Sequence, residues 1–160
     1  MKHNKMESMK SGAIRRSVLR AFAVAMATVM LRPLQLLAGG WNKAAFDARA
    51  VADALKAIGI TATEESDKFV LNPLEIAENG AIVPLEIASQ IPGTDAIYIV
   101  VDKNPQPLTA VFEFANGAEA FVATRIKMAE SSRVRIVARA GGKFYVTMRE
   151  IKVTIGGCGA

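Results

Sequence analysis

Beyond Phe69 the chain is a succession of short runs, alternating or rich in β-branched residues, each closed within about a dozen residues by a turn signal. The runs cover 70–76, 82–88, 96–102, 108–114, 120–127, 134–139 and 143–155, the last with a break expected near Met148. Glu78-Asn79-Gly80, Pro92-Gly93, Asn104-Pro105, Asn116-Gly117 and Gly141-Gly142 supply the turns. Spacing this regular leaves no room for long helices and predicts an all-β fold, an immunoglobulin-like antiparallel sandwich of roughly seven strands. The Cys-Trp-Cys core signature of antibody domains is absent, because a chain with one cysteine cannot form the bridge between sheets. One helix is expected ahead of the strands, over 44–58. There Phe46, Val51, Leu55 and Ile58 fall near one face, and Gly59 is placed to close the C-terminus.

Two strand segments carry further expectations. Ile97-Tyr98-Ile99-Val100-Val101 is apolar on both faces. It is either a strand covered on both sides or part of a partner interface, with core burial assigned to about half of it. Residues 134–139 and 143–152 read as a hairpin with a Gly-Gly turn, and Arg133, Arg135 and Arg139 fall on one of its faces. Three arginines at period two are read as a solvated sheet face rather than a nucleic-acid groove, since no aromatic stacking set accompanies them.

Charge separates the N-terminus from the rest. The 160 residues hold 20 Lys and Arg against 15 Asp and Glu, a formal charge of +5. The first 38 residues account for seven of the basic residues and one of the acidic, leaving 13 against 14. The remainder is nearly neutral, so nucleic acid is not an expected partner. Polar, basic residues 1–20, an apolar run over 21–31 and small residues ending at Gly40 follow the order of an export signal. Arg15-Arg16-Ser17-Val18-Leu19-Arg20 resembles the twin-arginine consensus, with Ile14 and Val18 as departures. Arg32-Pro33 interrupts the apolar run well short of the roughly 20 residues of a spanning helix, so no stable membrane insertion is expected. The expected organisation is a signal over 1–40 cleaved after Gly40, a domain over 41–155 and a C-terminal arm over 156–160, with the periplasm as destination.

The only histidine is His3 and the only cysteine Cys158. Removal of the signal leaves no imidazole. A His-based triad, a His-ligated zinc or haem site and an intramolecular disulfide are all excluded for the mature chain. Cys158 stands in Gly156-Gly157-Cys158-Gly159-Ala160, where three glycines give the backbone wide freedom and predict a mobile arm. A free thiol of pKa near 8.5 is a few per cent ionised at neutral pH. Nothing close in sequence lowers that value, and the terminal carboxylate two residues away opposes a second negative charge. The pattern therefore favours a carrier whose thiol is activated inside a partner's active site over an enzyme acting alone. An incidental tail cysteine is the bland alternative. A lone thiol in an oxidising compartment risks unwanted disulfides, which favours function.

The closing 153–160 segment resembles the C-terminal Gly-Gly-Cys-Gly-Gly arm of the SoxY family, the sulfur carriers of the periplasmic sulfur-oxidation system. Residues 77–84, 121–132 and the 103–108 loop are also similar to that family, and the resemblance runs from about Trp41 to the end. It implies an immunoglobulin-like sandwich, no cofactor beyond sulfur held covalently on Cys158, and a heterodimer with a SoxZ-like subunit that lacks a signal of its own. It also implies that a haem-containing SoxAX-like enzyme conjugates thiosulfate to Cys158. A manganese-dependent SoxB-like hydrolase then releases sulfate, and in some organisms a SoxCD-like dehydrogenase oxidises the remaining sulfane sulfur. Gly156, Gly157 and Gly159 would let the arm thread narrow channels. Ala160 departs from the family's terminal glycine.

Three other readings compete. A periplasmic binding or assembly module could use its cysteine solely for intermolecular disulfides. A thiocarboxylate carrier would end at its Gly-Gly, whereas this chain continues with Cys158-Gly159-Ala160. A superoxide reductase on a similar sandwich requires several histidine ligands.

Overall fold

The computed structural model describes residues 42–72 and 75–155. Two short helices, α1 (Lys43–Asp47) and α2 (Val51–Ala57), precede nine strands. These are β1 (Glu64–Glu65), β2 (Phe69–Leu71), β3 (Ile76–Asn79), β4 (Val83–Ser89), β5 (Thr94–Val101), β6 (Leu108–Glu113), β7 (Phe121–Ile126), β8 (Ser132–Ala140) and β9 (Lys143–Ile155). They form a larger sheet in the order β1-β9-β8-β5-β6, with β3 also on β9, and a smaller sheet β2-β4-β7.

The expected single helix over 44–58 is instead a pair. Ala48 and Ala50 adopt extended backbone between the two helices, although neither residue is a helix breaker. Tertiary contact decides the break. Asn42 caps α1 through Oδ1, which accepts from the Ala45 N–H at 3.1 Å, and donates from Nδ2 to the Ala57 carbonyl at 2.8 Å. One side chain thus ties the start of α1 to the end of α2. Gly59 closes α2 as expected: at φ 79° it donates to the Lys56 carbonyl, and Ile60 donates to the Leu55 carbonyl at 2.9 Å. That is the double bond of a Schellman cap, with Ile60 buried beside Leu55 and Ala54.

The larger sheet is covered on both faces. Ile97, Ile99 and Val101 of β5 join Val134, Ile136 and Ile151 in a cluster completed by Val83, Leu85, Ile87, Val122 and Ile126 of the smaller sheet. Ala96, Tyr98 and Val100, on the other face of β5, pack with Val137, Val146 and the helix-pair residues Ala45 and Ala54. Every residue from Ala96 to Val101 is buried. This settles the two-sided run in favour of a covered strand along its whole length, not half of it, and not an exposed interface.

Three other expectations change. The run over 70–76 is not one strand. β2 pairs antiparallel with β4 in the smaller sheet, whereas β3 pairs parallel with β9 in the larger one. The turn expected at Glu78-Asn79-Gly80 starts late, because Glu78 and Asn79 still belong to β3. β9 runs unbroken through Met148. The Gly141-Gly142 hairpin is as expected: Ala140 pairs with Lys143 across two glycines at φ 57° and 77°, values that suit a primed two-residue turn.

The arginines of β8 lie on the helix-side face, at its rim, and are engaged by carboxylates rather than simply solvated. Arg135 forms a bidentate pair with Asp102, at 2.6 Å and 2.9 Å, and Arg133 approaches the same carboxylate at 3.4 Å. Arg139 donates to Asp95 at 2.6 Å and to the Tyr98 hydroxyl at 3.2 Å. These hydrogen bonds push both the Arg135 and Arg139 pKa upward, against a smaller opposing effect of burial. Burial is the main cause that pushes the Tyr98 hydroxyl above the ordinary tyrosine range, with the Arg139 charge opposing it.

Candidate functional site

Cys158 and its neighbours Gly156, Gly157 and Gly159 lie outside the described residues, as do Arg15 and Arg16 of the expected signal. What the structure describes is the end of β9 that leads to them, and the platform that holds it. The last residues of β9 carry the chain toward Gly156, and the segments around them are remote from one another in sequence.

β3 lies parallel to the end of β9, with Ile76 opposite Lys152, Ala77 opposite Val153 and Asn79 opposite Ile155. The Thr154 hydroxyl donates to the Glu78 carbonyl at 2.6 Å, and the Gly80 N–H donates to the Ile155 carbonyl at 2.8 Å. Gly80 is fixed in turn, its carbonyl accepting from the Met128 N–H at 2.7 Å. On the other side of β9, the Ser131 hydroxyl accepts from the Val153 N–H at 2.9 Å and donates to the Val153 carbonyl at 3.3 Å.

The 103–108 loop reaches the same place. Asn104 donates from Nδ2 to the Lys127 carbonyl at 2.8 Å, and its Oδ1 accepts from the Ala129 N–H at 2.9 Å. The Lys103 N–H donates to the Ser132 hydroxyl at 3.0 Å, and Ser132 is itself buried. The three internal stretches that carry the family resemblance in sequence therefore meet at one hydrogen-bonded platform around the end of β9. Packing supports it: Ala77 and Met128 are buried in the cluster between the sheets, with Val153 packed against them.

Around the platform the surface is apolar as well as charged. Ile155 is 66% exposed and Ile82, just beyond the Gly80 turn, is 59% exposed. Lys103 and Glu130 form an exposed ion pair at 3.6 Å, a contact worth little to stability. Among the described residues no group of three or more His, Cys, Asp or Glu side chains is placed to hold a metal ion. No helix of the described residues is long and apolar enough to cross a membrane.

Comparison with known proteins decides the family. A family model described as sulfur oxidation protein SoxY matches residues 54–158, a span that ends on Cys158. The chain belongs to the SoxY family. The structure of the sulfur carrier protein SoxY from Chlorobium limicola f thiosulfatophilum is 37% identical, with a TM-score of 0.60, and the alignment covers 71% of this chain and 100% of that one. A superoxide reductase (neelaredoxin) from Ignicoccus hospitalis is 13% identical with a TM-score of 0.50, over 57% of this chain and 94% of that one. That likeness concerns the fold alone. A search of curated protein sequences found no match.

The sequence singles out the C-terminal 156–160 segment, gives Gly80 and Asn104 roles as turn residues only, and gives Ser131 and Thr154 none. All four sit in or beside the stretches similar to SoxY. Their signal was present as similarity, but the bonds that unite them span from 22 to 76 positions of sequence, which no local pattern reveals.

Proposed function

We propose that this SoxY-family chain carries sulfur on Cys158 in thiosulfate oxidation and hands it to enzymes supplied in trans. The observation that carries the reading is the family match, whose span ends on Cys158. The platform adds support, since it delivers the chain to the glycines through a firmly bonded strand.

The chemistry follows from the thiol. Thiosulfate and Cys158–SH join as Cys–S–S–SO3−, a step that forms one S–S bond and gives two electrons and one proton to a haem-containing SoxAX-like partner. Water then attacks the terminal sulfone under a SoxB-like hydrolase, releasing sulfate and two protons and leaving a persulfide without net redox change. A SoxCD-like dehydrogenase can oxidise that sulfane sulfur. The chain contributes no acid, base or metal to these steps. It contributes a reachable thiol, and Gly156, Gly157 and Gly159 keep the arm slim and free enough to enter a narrow channel. Ala160 adds one methyl at the extreme end.

The scaffold we take to be an immunoglobulin-like sandwich. The order β2-β4-β7 against β9-β8-β5-β6, with β1 and β3 running parallel to β9, supports this. We assign export by the twin-arginine route, cleavage after Gly40 and a periplasmic location, on the strength of Arg15-Arg16 and the segment that follows. A SoxZ-like subunit is the proposed partner.

The test is replacement of the sulfur attachment point. Cys158→Ser is expected to abolish thiosulfate-dependent oxidation, while intact-mass measurement of the native chain from thiosulfate-grown cells shows a DTT-labile adduct on its C-terminal peptide. A serine variant that still supports thiosulfate oxidation would refute the carrier role and leave the disulfide-forming module.

A further inference from the structure

Two of the chain's six asparagines are followed by glycine, Asn79-Gly80 and Asn116-Gly117, two by proline and two by lysine. The distinction matters for one reaction of the side-chain amide. The backbone nitrogen of the next residue can attack Cγ, losing its proton, while ammonia leaves and a five-membered succinimide closes. Water then opens the ring at either carbonyl, to aspartate or to isoaspartate. The net change is amide plus water to acid plus ammonia, without oxidation or reduction. Proline has no N–H to give up, and a side chain such as that of Lys43 after Asn42 crowds the attack. Glycine imposes neither obstacle. By local chemistry the two Asn-Gly steps are therefore equals, and what distinguishes them is the fold.

Asn79 is held at each group the reaction must move. Its backbone is paired in β3 opposite Ile155, its Oδ1 accepts from the Ala81 N–H at 2.8 Å, and buried Gly80 donates its N–H to the Ile155 carbonyl at 2.8 Å. The nucleophile is thus occupied by a bond that also holds the end of β9. Asn116 stands in the opposite condition. It lies between β6 and β7, which belong to different sheets, and neither it nor Gly117 is in a strand. Both are exposed, with φ 56° and 74°, in a turn closed by one backbone bond, from the Ala118 N–H to the Ala115 carbonyl at 3.1 Å. Among the described residues nothing hydrogen-bonds the Asn116 side chain or the Gly117 N–H. We propose that Asn116 is a site of spontaneous deamidation in the folded protein, with water as co-reactant, and that the fold locks the equivalent reaction at Asn79. Conversion places a new carboxylate on a loop already flanked by exposed Glu113 and Glu119. Its isoaspartyl form also inserts one carbon into the backbone ring that the Ala118 to Ala115 bond closes.

The test uses the full chain, aged in mildly alkaline buffer and sampled over time. Peptide mass mapping reads the amide-to-acid mass gain, and an isoaspartate assay is run on each peptide. In the folded protein the Asn116 peptide is expected to convert roughly ten- to a hundredfold faster than the Asn79 peptide, as suits a nucleophile freed only when a bonded strand end opens. In denaturant the two should convert within about twofold of each other, because the paired bonds that separate them are gone. Native protection of β5 amides through the incubation establishes that the folded chain is being read. Equal rates in the folded chain, or faster conversion at Asn79, overturn the proposal. So does an Asn116 peptide that stays amide in the folded chain over a time in which the denatured chain converts it. A preference for Asn116 that persists undiminished in denaturant overturns the lock at Asn79, since flanking sequence would then account for it. No readout depends on sulfur chemistry, so the outcome stands apart from that of Cys158→Ser.

Discussion

The two ends of β9 are the same strand built by different means. From Lys143 to Ile151 it is one member of a regular ladder, closed by a glycine hairpin and flanked on both faces by packed side chains. From Lys152 to Ile155 it is held by a short parallel neighbour and by side-chain hydroxyls, and it ends with Ile155 mostly exposed. The difference teaches how a fold can hold one strand past the end of its neighbour. The ladder half draws its stability from burial, which is large and cooperative. The platform half adds individual hydrogen bonds, each of modest net worth, to the packing of one side chain, Val153, against the core. Its opening is expected to be local, whereas loss of the ladder half is global unfolding.

Three substitutions put that contrast to the test. The largest effect is expected from Ile151→Ala, at the junction of the two halves. Ile151 is fully buried between the sheets, so the cavity should cost about 2–5 kcal/mol in global stability. Denaturant titration with an unchanged m-value would measure it. A loss confined to exchange of Val153 and Thr154 would instead assign Ile151 to the platform.

Arg135→Ala comes next. Arg135 faces Met148 across the ladder and makes the bidentate pair with Asp102, whose side chain is only 17% exposed. Its removal leaves that carboxylate with Arg133 at 3.4 Å. A loss of about 1–3 kcal/mol is expected, and Arg135→Lys should recover only part of it, since an ammonium cannot match both oxygens. Full recovery by lysine would reduce the contact to simple charge.

The smallest effect is confined to alkaline pH. Tyr98 packs edge-on against Phe144 at 6.3 Å and its hydroxyl titrates above the ordinary tyrosine range because it is buried. The unfolded chain therefore releases this proton first, at roughly pH 10. The sign is fixed: stability is fully present below that pH and falls as pH rises toward the folded-state value. Tyr98→Phe should remove this contribution to the decline, while Val153 exchange in the platform, corrected for its intrinsic pH dependence, stays the same in both proteins. An identical decline in the phenylalanine variant would assign the alkaline sensitivity elsewhere.

Much of the strand framework was legible in the sequence. Alternation in 82–88 and 120–127 and the Gly141-Gly142 turn are local signals, and period two translates directly into one buried and one outward face. The helical region was legible as helix and as apolar stripe, but not as a pair. Asn42 makes the bend by binding Ala57, fifteen positions away. The strand switch between Leu71 and Ile76 was missed for the same reason. β-propensity marks both strands alike and says nothing about which sheet receives them.

The candidate site divides in the same way. Chemistry resides in residue type, so the sequence alone determined that the chain has one thiol, Cys158, set among glycines, and one imidazole, His3, far from it in sequence. Similarity to the SoxY family was likewise a property of the residues. Tertiary structure alone decided how the end of β9 is held. A hydroxyl at position 131 becomes a strand surrogate solely because β8 stops at Ser132 while β9 continues to Ile155. That mismatch in length exists between partners brought together by the fold, and neither strand carries a mark of it in its own residues.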